Sequence, residues 1–189
     1  GIETLRIKGE RGQQIDLQFA EYINPDGKLD YGNLGFYPDG FVQRDVYILK
    51  GEGEEVFEPQ FTYHGARYCL VLGLTDEQAT EELLTFDICA SAIGDRGDFR
   101  CSDETVNKLQ AMTRNSDLSN FYYFPTDCPH REKNGWTGDA AVSCEELSLN
   151  FAPEKSYKEW LRNIRKTQKE TGELPGIIPV SYTHLTLPT

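Results

Sequence analysis

Three carboxylates, Asp127, Glu132 and Asp139, fall within the short stretch Asp-Cys-Pro-His-Arg-Glu-Lys-Asn-Gly-Trp-Thr-Gly-Asp, together with Arg131, Lys133 and Trp136. Cleaving an acetal such as a glycosidic bond takes one carboxylic acid kept protonated for the leaving oxygen and a second carboxylate for water or the anomeric carbon. Carboxylates in unlike surroundings are the raw material for that division of labour. Pro125 and Pro129 restrict the backbone around them, so the acids would be held with little conformational freedom. Trp136 offers a flat apolar face for the C–H side of a sugar and an N–H that can reach a hydroxyl. Glu132 sits between basic neighbours, and its charge state is left open between burial against Trp136 and pairing with Arg131 or Lys133.

The elements around this stretch place it between helices. After Gly97 a helix can be capped by Ser102, with Val106, Leu109 and Met112 as its inward stripe. A second helix is expected from near Gly138 through Ala140, Val142, Cys144 and Leu147 towards Phe151, which sets Asp139 in its first turn, where the helix dipole favours a carboxylate. A third begins near Pro153, buries Tyr157, Trp160, Leu161 and Ile164, and ends at Gly172. The acids therefore belong to a loop between rigid elements, where sites are usually built. The aromatic run at residues 121–124 reads as core packing.

The residues before Gly97 have a different period. Runs at 3–8, 14–19 and 42–49 alternate apolar and polar residues, and 61–72 and 84–93 continue the pattern, with Gly-rich or Asn-Pro-Asp-Gly turns between. Five or more antiparallel strands imply a β-sandwich over residues 1–97. Residues 98–179 are then helical. There is no internal repeat and no low-complexity tract.

With 189 residues and 38% hydrophobic content, the chain can bury a real core. The net charge of -12, with no Lys/Arg cluster, disfavours nucleic acid and anionic membrane surfaces as partners. No apolar run approaches the roughly 20 residues of a membrane span. The start Gly1-Ile2-Glu3 lacks both an initiator Met and a signal-peptide pattern, so the natural N-terminus is expected elsewhere and localisation stays open. Residues 180–189, Val-Ser-Tyr-Thr-His-Leu-Thr-Leu-Pro-Thr, carry no charge apart from His184 and resemble an in-frame translation of a transposon-type sequencing adaptor. The natural sequence is expected to stop near Pro179.

Five cysteines, Cys69, Cys89, Cys101, Cys128 and Cys144, form no CxxC pair and read as free thiols. Cys128, His130, Glu132 and Asp127 are metal-ligand types, but they lack a second Cys/His pair, so zinc is not expected there. A nucleophilic pair of Cys128 and His130 is not expected either, since residues two apart in a proline-constrained loop seldom align as thiol and base. No metal or organic cofactor is implied. Glu145 and Glu146 read as a solvated helix face.

The run from Asp127 to Asp139 resembles, nearly completely and without gaps, the signature of the bacterial α-L-rhamnosidases, glycoside hydrolase family 78. Upstream, Arg44-Asp-Val-Tyr-Ile-Leu-Lys-Gly and Glu58-Pro-Gln-Phe-Thr-Tyr-His-Gly-Ala-Arg-Tyr are similar to the sandwich that precedes the helical barrel in that family, so the likeness covers residues 1–179. It implies a concanavalin-like β-sandwich followed by the truncated start of an (α/α)6 barrel, acting on terminal α-L-rhamnose of glycosides or oligosaccharides with inversion. The general acid maps onto Glu132, the rhamnose-binding acids onto Asp127 and Asp139, and pocket-lining positions onto Arg131 and Trp136. The methyl group of rhamnose suits a Trp136 wall. Some members carry one more residue between the first Asp and the Glu, but Glu132 is the only carboxylate available in that interval. The family's general base comes from further along the barrel than this chain extends, so the 1–179 polypeptide is expected to be inactive by itself. The alternative from a different class is a sandwich that binds carbohydrate without catalysis; a proton donor at Glu132 is the feature it has no use for.

Overall fold

The structure is a computed structural model that describes residues 1–34 and 43–179; Val42 and the adaptor-like 180–189 lie outside the described residues. The chain divides into two compact units, Gly1–Cys89 and Ala90–Thr189.

In the first unit, β1 (Ile2–Lys8), β6 (Glu54–Phe57) and β8 (Leu84–Asp87) form one antiparallel sheet in the order β6-β1-β8. A second, in the order β5-β2-β7, joins β2 (Gln14–Ala20), β5 (Gln43–Ile48) and β7 (Tyr68–Leu72). The short strands β3 (Tyr22–Ile23) and β4 (Leu29–Asp30) pair as a hairpin. Alternation decides the core: Leu5 and Ile7 of β1 face Ile15, Leu17 and Phe19 of β2, with Leu49 and Leu83 closing the cluster. Each such side chain contributes about 1.5–3 kcal/mol when fully buried. On the outer face Arg44 pairs with Asp16, its Nε donating to Oδ1 at 2.9 Å, and the guanidinium holds the Asp16 carboxyl below its usual range.

The run at 61–72 becomes a strand only from Tyr68, and that at 84–93 only to Asp87. Residues 58–66 cross the sandwich as an irregular segment instead. Its backbone is satisfied by a side chain: buried Gln43 accepts from Gly65 N at 3.0 Å and donates to Gly65 O at 2.8 Å.

In the second unit, residues 90–97 pack with the helices: Ile93 shares a core with Phe121, Leu147 and Phe151, and Ser91 N donates to Phe121 O at 2.9 Å. The helices are α1 (Glu104–Ser119), α2 (Thr137–Asn150) and α3 (Glu154–Lys166), with the small β9 (Phe121–Tyr122) and β10 (Phe124–Pro125) between the first two. Asp103 caps α1 in place of Ser102, its Oδ1 accepting from Thr105 N at 2.8 Å. The expected stripe of Val106, Leu109 and Met112 is exposed. Instead α1 is held by the face carrying Gln110, Arg114, Asp117 and Leu118. Gln110 Nε2 donates to Asn150 Oδ1 at 2.5 Å, and Arg114 lies 4.4 Å over the Phe151 ring.

On α2, Ala140 and Leu147 are buried, seven residues apart on one face, while Val142 is turned about 200° from Ala140 and is exposed. On α3, Trp160 is buried, with Tyr157 and Ile164 partly so; Leu161, about 100° from Trp160, faces outward. The helix ends at Lys166, short of Gly172, because Thr167 closes it through Oγ1 to Ile164 O at 2.8 Å. All five cysteines are free.

Candidate functional site

The acidic loop is built around Asp127. Its amide donates to Asn134 O at 3.0 Å and its Oδ1 accepts from Asn134 N at 2.9 Å, so residues 127–134 form a closed lobe. Lys133, with φ at 54°, supplies the left-handed turn that brings Asn134 back. Inside the lobe the Cys128 thiol donates to Asp127 Oδ2 at 3.2 Å, and Cys128 Sγ accepts from Glu132 N at 3.1 Å. Cys128 is therefore a buried internal tie of the lobe.

The exit from the lobe is fixed by tight backbone contacts. Gly135 O accepts from Ile178 N at 2.9 Å, Thr137 N donates to Gly176 O at 2.8 Å, and Trp136 bridges to Ile177. Only glycine fits at 135, since a Cβ there would stand 2.1 Å from Ile178 O. Ile178 is anchored in turn by Trp160, whose indole N–H donates to its carbonyl at 2.9 Å. Trp136 thus occupies the cap position of α2 with its ring directed back over the lobe, and its Nε1 donates to Glu132 Oε2 at 3.0 Å. Glu132 and Trp136 are half-buried, and the indole bond fixes one carboxylate oxygen.

Asp139 lies in the first turn of α2, as expected, and is exposed. Together with Asp127 it lines a cleft of about 500 Å³ between α1 and α2, a volume suited to a small ligand. Arg131, Glu132 and Trp136 are not among the residues lining that cleft. The expected residues are therefore brought together as two groups joined through Asp127: the lobe with Glu132 and Trp136, and the cleft with Asp139.

Two further acids of the cleft were not legible in the sequence. Asp117, on α1, and Glu146, on α2, line it from opposite helices. Burial, and next the adjoining Glu146 carboxylate, push Asp117 up to about 7. Two carboxyls this close resist double ionisation, so the pair holds a proton near neutrality. Glu146 is consequently half-buried rather than part of a solvated face; Glu145 alone is exposed. Only its place four residues before Asn150, on the same helix face, could have hinted at this.

Two family models match the chain, one in each half. Residues 1–93 match the family model described as the bacterial alpha-L-rhamnosidase concanavalin-like domain, and residues 94–187 match that of the bacterial alpha-L-rhamnosidase 6 hairpin glycosidase domain. An alpha-L-rhamnosidase of Formosa agariphila is 34% identical over 166 residues, 87% of this chain and 17% of that protein. The structure of an alpha-L-rhamnosidase from Dictyoglumus thermophilum superposes with a TM-score of 0.85 at 38% identity, covering 95% of this chain and 20% of that one. The Streptomyces avermitilis alpha-L-rhamnosidase complexed with L-rhamnose gives 0.86 at 31% identity over 95% of this chain and 17% of that one. The chain thus spans about a fifth of the length of the relatives it matches.

Proposed function

This chain belongs to the bacterial alpha-L-rhamnosidases, and on that footing we propose that residues 127–139 are the acid-bearing part of a site that removes terminal α-L-rhamnose from glycosides with inversion. The single observation carrying this reading is Glu132, held through one oxygen by the Trp136 indole in the run that opens at Asp127 and closes at Asp139. Glu132 gives its proton to the glycosidic oxygen as the bond from that oxygen to the anomeric carbon breaks. A water, deprotonated by a second carboxylate on the opposite face, forms the new bond to that carbon; the two carboxyls of an inverting pair stand about 6.5–9.5 Å apart. No residue of this chain is assigned to that second role. Asp127 and Asp139 accept hydrogen bonds from sugar hydroxyls, while Arg131 and Trp136 line the pocket. In this reading residues 98–179 supply the opening helices of the six-hairpin domain.

Hydrolysis of an aryl α-L-rhamnoside by the full-length protein tests it. Glu132→Gln should slow the wild-type reaction by roughly 10²–10⁴-fold. Equal rates would place the proton donor elsewhere. A folded but inactive wild type would favour the sandwich as a carbohydrate-binding module without catalysis.

A further inference from the structure

The sandwich unit contains a cluster of titratable groups unrelated to the acidic loop. Glu3 lies on the core-facing side of β1, in line with Leu5 and Ile7, and is 0% exposed. Asp45 lies on the core-facing side of β5, in the other sheet. His64, 5% exposed, comes from the irregular segment between β6 and β7. That segment is held in place by paired backbone bonds, His64 N to Gly1 O at 2.8 Å and Gly1 N to His64 O at 2.7 Å. The His64 imidazole stacks on Phe19 with ring centroids 4.4 Å apart. One ligand-type atom from each of the three residues falls within 4.8 Å of the others.

A second observation is independent of that proximity. Glu3 Oε1 and Oε2 and His64 Nδ1 are sealed from solvent, and by geometry none has a well-formed hydrogen bond; the carboxyl adjoins only its own backbone amide and the Asp45 carboxyl, which donates only when the two share a proton. A core-facing carboxyl with no charged partner or strong donor is costly, and buried acids in folded proteins are paired, neutralised or bound to metal. The imidazole does not meet this need, because His64 Nε2 contacts Asp45 Oδ2.

We propose that Glu3, Asp45 and His64 form a site for one zinc-class divalent ion, which clasps the two sheets of the sandwich. One imidazole nitrogen and two carboxylate oxygens are a zinc donor set, whereas magnesium and calcium favour oxygen alone. Metal bonds of about 2 Å in tetrahedral geometry put ligand atoms roughly 3.3 Å apart, a contraction that side-chain rotation supplies. A water takes the fourth position. Cys69, on the same interior, stands outside the group: burial, and next Glu3, push its thiol up to about 12. The competing occupant is a proton shared among the same three groups, for burial and the neighbouring Asp45 raise Glu3 to about 8.

Zinc chloride titrated into the chelator-stripped 189-residue chain, with circular dichroism and melting temperature followed in parallel, separates these two. Zinc binding one-to-one to a natively folded chain, with a raised melting temperature, is the expected result. Cobalt(II) should give the visible absorption of a tetrahedral N/O site. Glu3→Gln and His64→Gln should each weaken zinc by more than roughly 100-fold and remove the cobalt spectrum. Glu3→Gln keeps the side-chain volume and removes only the acid, so its metal-free form should melt no lower than wild type. Three results would overturn the proposal: unchanged melting with zinc, binding unaltered in both variants, or zinc taken up only by chain that has lost its native dichroism.

Discussion

The Trp136 indole donates to Glu132 Oε2 at 3.0 Å, between residues four apart where the acidic lobe turns into α2. Under the reading of Glu132 as proton donor, the indole aims the carboxyl, and the ring is held by the pairing of residues 135–137 with 176–178. Trp136→Phe keeps an apolar wall and deletes the donor. A hydrogen bond to a charged partner is worth about 1.5–3 kcal/mol, so the full-length enzyme should lose roughly 10- to 100-fold in kcat. Adding Trp136→Phe to Glu132→Gln should cost little more. Additive losses in that double variant would mean that the indole acts on substrate alone.

Gly135 tests the scaffold independently of any activity. Its would-be Cβ collides with Ile178 O, so Gly135→Ala should displace the 176–178 segment and destabilise the chain by about 1–3 kcal/mol in urea unfolding. Gly138, in α2, has nothing within 4 Å of its would-be Cβ, and Gly138→Ala should gain about 0.5–1 kcal/mol. Equal effects from the two substitutions would refute the close approach at 135.

Asp117 makes stability depend on pH. Its carboxyl rises from an ordinary 3.8 to about 7 on folding, through burial first and Glu146 second, so the folded chain keeps a proton that the unfolded chain releases. The associated stability is complete below the unfolded value and is lost as pH climbs through the folded one. Asp117→Asn should flatten the decline between about pH 4 and pH 7 and leave the variant more stable than wild type at about pH 8. Urea midpoints across that range decide it, and a variant retaining the wild-type slope would place the titration on another group.

The strands with strict alternation were legible, because β1, β2 and β5 each have one face on the core and the period of two records it. The acidic loop was legible for a simpler reason: its members are contiguous, so covalent connection places them together before folding does. Asp139 in the first turn of α2 followed from the same local pattern.

Other features depended on partners distant in the chain. The alternation of 61–72 looks like strand throughout, yet its first half is bound by the Gln43 side chain rather than by a neighbouring strand. Val106, Leu109 and Met112 have helical spacing, but α1 is gripped by Arg114 and Gln110 through Asn150 and Phe151, and that choice of face is made by α2. Glu146 looks like half of a solvated acidic pair until α1 brings Asp117 beside it.

What the sequence by itself determined was therefore the local period of each element and the family-specific order of acids in one loop, since both are written in adjacent residues. Which faces are covered, which acids must share a proton and the meeting of Glu3, Asp45 and His64 were decided by tertiary structure. The cost of burying a charge, and the groups available to offset it, are set by neighbours that only the packing of helix on helix and sheet on sheet supplies.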